Sequence, residues 1–397
     1  HTGVAIYDAD QSKYLYQFNS NKYFVPASNT KIPTLYAGMK WLGDRLPALR
    51  VAKRNDTVFI SPTGDPTFLH SDFAMQPAAD FLRKYDTVAF IANNWQTEAL
   101  GYGWAWDDYQ SAYMAERSPL PVFGNTVKWK QQTKREAGNA TELEVAAIPA
   151  ATWNVQIDTA PSSMLKVSRP RTENVYTIRK GKENLGLVEM PFVTNGANTA
   201  AHILQSTLGV TLIPYNGKLP DGDSIIYSQS ADSMYRLLMH RSDNFFAEQT
   251  LLMTSERMLG VMDEQKLIDT LLKSELKDFP QKPRWVDGSG LSRYNLFTPE
   301  DFVWILGKMK DDFGMERLSN IFPTGNTGTL RNFYKEDAGY IFAKTGTLSG
   351  HVALSGFLVT NKKRMLIFSV LVNNHQSSSV AVRRAVEKYL QQLRKAL

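Results

Sequence analysis

The sequence predicts a mixed α/β (α+β) chain, with strands and helices together at both ends and a β-rich stretch between them. Three observations predict it. Residues 3–18 alternate as two strands around Asp8-Ala9-Asp10, and apolar residues at helical spacing follow. From about 56 to about 190, short strand-like pieces are separated by Gly, Pro, Asn and Asp, with few long helices. After Pro191 helical spacing returns, and the chain ends on apolar strand-like runs and a helix.

Taken in order, Val4–Tyr7 and Tyr14–Phe18 form the first hairpin. Ile32, Leu35, Tyr36 and Met39 mark the first helix. Pro26 precedes it, and Pro33, which lacks an N–H, is tolerable only if the helix starts close to Ser28. In the middle stretch, Thr57–Ile60, Leu165–Val167 and Val175–Ile178 read as strands. Trp104, Trp106, Tyr109 and Tyr113 form an aromatic patch, and such patches are more often packed core than ligand surface. Ala200, Ile203, Leu204 and Leu208 mark one later helix, and Met234, Leu237 and Leu238 another, with Phe246, Leu251 and Leu252 beyond. Two strand-like runs follow, Phe342–Thr360 and Met365–Val372, joined by a polar turn. A basic amphipathic helix over about Val380–Leu393 closes the chain; its basic face is expected in solvent over a packed apolar stripe.

Composition bounds the chemistry. The 397 residues allow two or three domains, and 43% hydrophobic with 21% charged residues excludes global disorder. With no cysteine there is no disulfide, thiolate metal site, iron–sulfur cluster or thiol nucleophile. The longest clean apolar run, Met365–Val372, is far short of the ~20 residues that cross a membrane. The net charge of +6 is spread thinly and does not point to nucleic acid. The chain opens on His1 and not Met, which reads as a processed or trimmed form.

The six histidines are scattered without metal-ligand spacing. Gly325-Asn326-Thr327-Gly328 lacks the Gly-Lys-Ser/Thr ending of a phosphate loop, and Gly288-Ser289-Gly290 has the wrong spacing for a nucleophile elbow. Three short motifs remain. In Ser28-Asn29-Thr30-Lys31, positions i and i+3 share a helix face, so the amine can approach the hydroxyl. A desolvated lysine with a lowered pKa can then activate the serine without histidine. Ser163–Lys166 and Ser274–Lys277 share the spacing, but only Ser28 follows a hairpin and opens a helix. Ser242-Asp243-Asn244 lies between two helical segments, where Ser242 or Asp243 is also a natural N-cap. Lys344-Thr345-Gly346, followed by Thr347, arises by chance only about 0.1 times in such a chain. On a strand, Thr345 and Thr347 face one way and Lys344 the other. Two hydroxyls beside a lysine suit a carboxylate, and Gly346 removes a side chain where a substrate backbone must come close.

Ser-x-x-Lys, Ser-x-Asn and Lys-Thr-Gly in that order resemble the serine penicillin-recognising enzymes. More narrowly, the chain resembles the class C low-molecular-mass penicillin-binding proteins, which are D-alanyl-D-alanine carboxypeptidases and endopeptidases. The spacing supports this: 214 positions separate Ser28 from Ser242 and 102 separate Ser242 from Lys344, leaving room for an insertion between the first two motifs. Gly64-Asp65-Pro66-Thr67, Trp104-Ala105-Trp106-Asp107-Asp108, Asp287-Gly288-Ser289-Gly290-Leu291-Ser292-Arg293 and Gly328-Thr329-Leu330 resemble further segments of that family. Some relatives carry a glutamine where this chain has Ser349.

The resemblance implies a β-lactamase/transpeptidase-like catalytic domain, an antiparallel sheet flanked by helices, over 1–55 and 191–397. Residues 56–190 would be the inserted β-rich region, of one or two subdomains. It implies Ser28 as nucleophile and Lys31 as its base, with Ser242 and Asn244 relaying protons and holding the substrate amide. Lys344 would tie Ser242 into the site's charge. Thr345, Gly346 and Thr347 would receive the substrate's terminal carboxylate and backbone, with the N–H groups of Ser28 and Thr347 as oxyanion hole. Asp108 and Arg293 would contact the substrate, Asp108 pairing with an amino-bearing third residue. No metal or organic cofactor is implied. The partners would be peptidoglycan peptides and β-lactams, and the location the periplasm or extracytoplasmic cell surface. A β-lactamase or esterase on the same scaffold, an idle β-lactam receptor, and a glycan-binding protein built on the aromatic patch are the rival readings. Oligomeric state and anchoring are not legible.

Overall fold

The computed structural model describes residues 1–135, 141–182 and 186–397. In chain order, β1 (Thr2–Asp8) and β2 (Lys13–Phe18) form the opening hairpin, a 3-10 turn covers Ala27–Thr30, and α1 (Lys31–Trp41) follows. β3 (Arg45–Arg54), β4 (Thr57–Pro62), α2 (Pro77–Leu82) and β5 (Thr87–Phe90) come next. Six strands cover the middle: β6 (Thr126–Arg135), β7 (Thr141–Ile148), β8 (Asn154–Ile157), β9 (Lys166–Ser168), β10 (Val175–Arg179) and β11 (Gly186–Pro191). Then come α3 (Asn198–Leu208), β12 (Thr211–Pro214), β13 (Ser224–Ser230), α4 (Ala231–Arg241), α5 (Asn244–Leu259), α6 (Glu264–Lys273), α7 (Pro299–Phe313) and α8 (Met315–Ile321). β14 (Ile341–Leu348), β15 (His351–Val359), β16 (Met365–Asn373) and α9 (Ser379–Ala396) finish the chain.

One antiparallel sheet joins the two ends, in the order β14-β15-β16-β1-β2. Alternate residues of β1 show why both termini are needed. Val4 and Ile6 pack with Leu354, Phe368 and the α9 residues Val386 and Leu390 on one face. Ala5 packs with Phe357, Leu371 and the helices α1, α4, α5 and α7 on the other. A sheet buried on both faces needs nearly continuous apolar strands, which is how β15 and β16 read. The run Phe342–Thr360 is two strands and not one: Ser349-Gly350 turns the chain, and Leu348 pairs with His351. The interior of that run is apolar on both sides of the turn, so hydropathy alone hides it. The closing helix matches its expectation, with Ser378 capping it and Val386 and Leu390 buried.

The inserted region has its own core. A sheet β12-β5-β4-β3-β13 packs Leu49, Ile60 and Val88 against Ile203 and Leu204 of α3. Two three-stranded sheets, β11-β6-β7 and β8-β10-β9, share a smaller core around Trp129, Tyr176 and Met190. The five-stranded sheet crosses the boundaries expected at 56 and 190. β3 lies before 56 yet pairs with β4 and β13, and α3, β12 and β13 lie after 190. We therefore propose an inserted unit spanning about 45–230. The reason is that β3 and β13 are mutual partners, so the chain enters and leaves the unit on adjacent strands. No helix of the described residues is long and apolar enough to cross a membrane.

Leu390 is fully buried between α9 and the sheet. Leu390→Ala should cost about 2–5 kcal/mol, read as a lower urea midpoint with the same slope. An unchanged midpoint would mean that α9 is not part of the cooperative core.

Candidate active site

Ser28 sits in the 3-10 turn and Lys31 is the first residue of α1. In a 3-10 turn residues i and i+3 eclipse, so the lysine lies directly over the serine, with Lys31 Nζ 3.2 Å from Ser28 Oγ. Pro33 falls in the first turn of α1, where a missing N–H costs nothing. The turn is held in place by a left-handed Ala27 (φ 48°) and by Gly290, where a Cβ would stand 2.0 Å from the Ala27 carbonyl oxygen. Only glycine permits that approach. Lys31 is fully buried and donates to Asn244 Oδ1 and the Ser289 carbonyl, each at 2.6 Å. Burial brings its pKa down to about 8, against the opposing pull of Asp287, Glu248 and Asp243. A neutral amine has two N–H groups and one lone pair. The two short bonds use both N–H groups, which turns the lone pair toward Ser28.

Ser242 ends α4 in the left-handed conformation (φ 60°), and Asp243 caps α5 by accepting from the Phe246 N–H at 2.9 Å. This sharp link between two helices puts the Ser242 hydroxyl and the Asn244 amide on the same side. Asn244 accepts from Lys31 and donates to the Tyr113 carbonyl at 2.9 Å. Lys344, also fully buried, donates to Ser242 Oγ at 2.8 Å and to the Thr345 carbonyl at 2.7 Å. Its pKa lies well below the usual lysine value, first because of burial and then because of the neighbouring charges of Lys31 and Arg383.

β14 is the edge strand of its sheet; its outer side is bridged to Thr324 at Phe342, and Thr347 and Leu348 further along it line the cleft. At Gly346 a Cβ would stand 2.6 Å from the Pro26 carbonyl oxygen and 3.1 Å from the Ser28 nitrogen. A side chain there would fill the space beside the Ser28 N–H.

A cleft of about 570 Å³ opens over this floor. Ser28, Ser242, Asn244, Thr347, Asp108 and Arg293 all line it. Thr345 does not. It borders a small apolar cavity with Phe333, Leu354 and Val386, on the α9 side of the sheet. The alternation that placed Thr345 and Thr347 together holds along the strand, but α9 covers the first and leaves the second exposed. The aromatic patch is not core either. Trp106 is 69% and Tyr113 50% exposed, while Trp104 lines the cleft and donates its indole N–H to Asp287 at 3.0 Å. Tyr109 instead stacks under Arg169. These rings cover a rim between two units, and hydropathy does not separate a rim from a core.

Three residues stand behind the floor: Asp287 opens a segment already singled out in the sequence, whereas Glu248 and Arg117 carry no motif signal of their own. Asp287 is fully buried and accepts from Gly290 N, Ser292 N and Asn295 Nδ2 at 2.7–2.8 Å, holding the Gly288–Arg293 loop in shape. Glu248 accepts from Ser289 N at 2.7 Å and so positions the carbonyl that Lys31 uses; burial and Asp287 push its pKa up. Arg117, 1% exposed, comes from the inserted unit and pairs with Glu248 and Glu264. A buried Arg in the β-rich stretch, matched to acidic residues on two later helices, is visible only in three dimensions.

Over residues 1–396 the chain matches the family described as D-Ala-D-Ala carboxypeptidase 3 (S13). It belongs to that family. It is 26% identical to the D-alanyl-D-alanine carboxypeptidase of Actinomadura sp. (strain R39), over 97% of this chain and 80% of that one. It is 21% identical to the D-alanyl-D-alanine carboxypeptidase DacB of Haemophilus influenzae, over 96% and 87%. Among solved structures, the fold is similar to penicillin-binding protein 4 of H. influenzae, with a TM-score of 0.76, 19% identity, and 100% and 96% of the two chains covered. A predatory peptidoglycan endopeptidase of Bdellovibrio bacteriovorus shares it at a TM-score of 0.58 and 12% identity, covering 99% and 92%. The S13 chain described here is a serine-type D-Ala-D-Ala carboxypeptidase with the penicillin-recognising fold.

Lys31 provides a direct check on this geometry. NMR of lysines labelled at the ε-carbon should show one signal, lost in Lys31→Arg, that titrates near 8 while surface lysines titrate near ~10.4. The unfolded chain keeps that proton to about 10.5, so between about 8 and 10.5 it binds more protons than the folded chain. The site therefore adds stability as pH rises through that window and loses it as pH falls toward 8. A Lys31 signal titrating with the surface lysines would overturn the neutral-amine geometry.

Proposed function

We propose that Ser28 is the nucleophile of this carboxypeptidase and that two buried Lys–Ser pairs, Lys31–Ser28 and Lys344–Ser242, handle its protons. That paired arrangement is the observation that carries the reading. Neutral Lys31 takes the Ser28 proton as Oγ attacks the carbonyl of the penultimate D-Ala. The developing oxyanion lies between the N–H groups of Ser28 and Thr347, at the gap that Gly346 keeps open. Asn244 holds the substrate amide. Ser242, bonded to Lys344, gives its proton to the departing nitrogen and is reprotonated with the proton that Lys31 took from Ser28. Thr347 takes the terminal carboxylate, and water then hydrolyses the acyl-enzyme.

A β-lactam presents the same carbonyl and carboxylate, and a solved complex of H. influenzae penicillin-binding protein 4 with a β-lactam is consistent with this. The substrates are read as stem peptides of peptidoglycan, which places the enzyme outside the cytoplasmic membrane. Asp108 and Arg293, one from each unit, line the same cleft with opposite charges. They suit a third residue that carries both an ammonium and a carboxylate.

A fluorescent penicillin should label one peptide, at Ser28. Ser28→Ala should abolish the label, and Lys31→Ala should slow it ~10²–10⁴-fold. A label persisting at Ser163 or Ser274, or near wild-type acylation without Lys31, would refute the assignment.

Asp108→Asn should lower kcat/KM about three- to tenfold on a muropeptide with a free side-chain amine, and leave a simple acyl-D-Ala-D-Ala unchanged. Equal losses on both substrates would return Asp108 to a structural role.

A further inference from the structure

Near the start of α9, Arg383 is a half-buried cation with no carboxylate partner among the described residues. Glu387, one turn further along the helix, is already committed: it pairs with Arg384 and accepts from the Tyr334 N–H. Tyr334 also faces Arg383, but burial pushes that phenol up and keeps it neutral. A partly buried guanidinium without a counter-ion is costly, and a surface helix can usually turn such a charge to solvent. Two contacts hold this one inward. The guanidinium lies 4.5 Å over the Phe333 ring, and Nη2 donates to the Thr329 carbonyl at 2.6 Å.

Thr329 belongs to the Gly328–Leu330 turn, which rests on the last residues of α4. A Cβ on Gly328 would stand 2.8 Å from the His240 carbonyl oxygen and 2.9 Å from the His240 Cα. His240 lies two residues before Ser242, where α4 ends in the left-handed conformation. Arg383 also borders the small cavity behind β14 together with Thr345, whose carbonyl accepts from Lys344. From the back of the sheet, one side chain thus reaches both the turn beneath Ser242 and the strand that carries Lys344. Its unpaired charge further disfavours the charge on Lys344.

We propose, resting on the reading of Ser242 as proton donor, that Arg383 is a positioning residue of this carboxypeptidase: it clamps the Gly328–Leu330 turn from behind and so holds the Ser242 hydroxyl against Lys344, ready to protonate the departing nitrogen. Arg383 touches neither the substrate nor the reacting atoms. Its effect is confined to the step in which the C–N bond breaks and the nitrogen takes a proton from Ser242. An amide nitrogen is too basic to leave as an anion, whereas a thiolate leaves without a proton. A thioester substrate is therefore indifferent to Arg383.

The test compares an acyl-D-Ala-D-Ala peptide with its thioester analogue, in which sulfur replaces the departing nitrogen. Arg383→Met keeps an unbranched chain over Phe333 and loses both the charge and the bond to Thr329. It should lower kcat/KM about tenfold on the amide and no more than about twofold on the thioester. Arg383→Lys, which keeps a donor and the charge, should bring the amide back to within about threefold of wild type. A merely structural role would lower both substrates together. Equal loss on both, or full amide activity in Arg383→Met, would overturn the positioning role. If Arg383→Met does not fold, Arg383→Gln is read on the same two substrates by the same criteria. Ser242→Ala separates the two readings. Amide-selective loss there, with none in Arg383→Met, strikes Arg383 alone, whereas equal loss on both substrates in Ser242→Ala strikes the proton-donor reading itself.

Discussion

Two lysines are buried side by side beneath the cleft, and no carboxylate touches either amine. Lys31 and Lys344 are both fully buried and make no ion pair among the described residues. Removing a charged amine from water is expensive unless it is paired or gives up its proton. The protein does not pair them, and Lys31 further disfavours the charge on Lys344. What surrounds them are neutral acceptors: an amide oxygen, two carbonyls and two serine hydroxyls. Carboxylates stand one step back, where Asp287, Glu248 and Asp243 act through space. This arrangement keeps the amines soft enough to exchange protons with the serines. A carboxylate in direct contact would lock the ammonium form.

The rest of the site follows from holding those neutral acceptors still. The Ser289 carbonyl can meet Lys31 only because Glu248 grips the Ser289 N–H, and the loop carrying it keeps its shape around Asp287. Glu248 is itself a buried acid, and Arg117 answers its charge. Because Arg117 belongs to the inserted unit, the lysine environment and the placement of that unit are not independent. Removing the arginine would leave two acids, Glu248 and Glu264, without their buried cation. Breaking such a pair typically costs about 3–5 kcal/mol.

This dependence also explains what could be read from the sequence and what could not. The three motifs are local, and their residues meet because each sits where the chain changes direction: a 3-10 turn, a left-handed helix end and an edge strand. Periodicity and spacing capture such places, so the opening hairpin, α1, α3, α4, α5 and α9 were legible. Glu248 looked like one more residue of an apolar helix, and Arg117 like one charge in a loop. Their meaning is a pairing across 131 positions, for which one sequence holds no signal. The unit boundaries proposed above rest on a related kind of pairing, since β3 and β13 find each other across about 170 residues of intervening fold. Thr345 and the aromatic rim show a third limit. Alternation and hydropathy give the face a side chain occupies, but which element covers that face is decided by packing.

The inserted unit gives the catalytic floor a wall. The catalytic unit supplies both serines, both lysines and the edge strand, while the other unit brings Asp108 and Tyr113 to the cleft. The Tyr113 carbonyl accepts from Asn244, the residue that also holds Lys31. The wall is therefore bonded to the same amide that meets Lys31. A shift of the inserted unit would alter not only which peptide fits but also how Asn244 meets the lysine. The long insertion between the first two motifs is therefore no passive cover: in the mechanism proposed above, it would join specificity to proton handling at that one side chain.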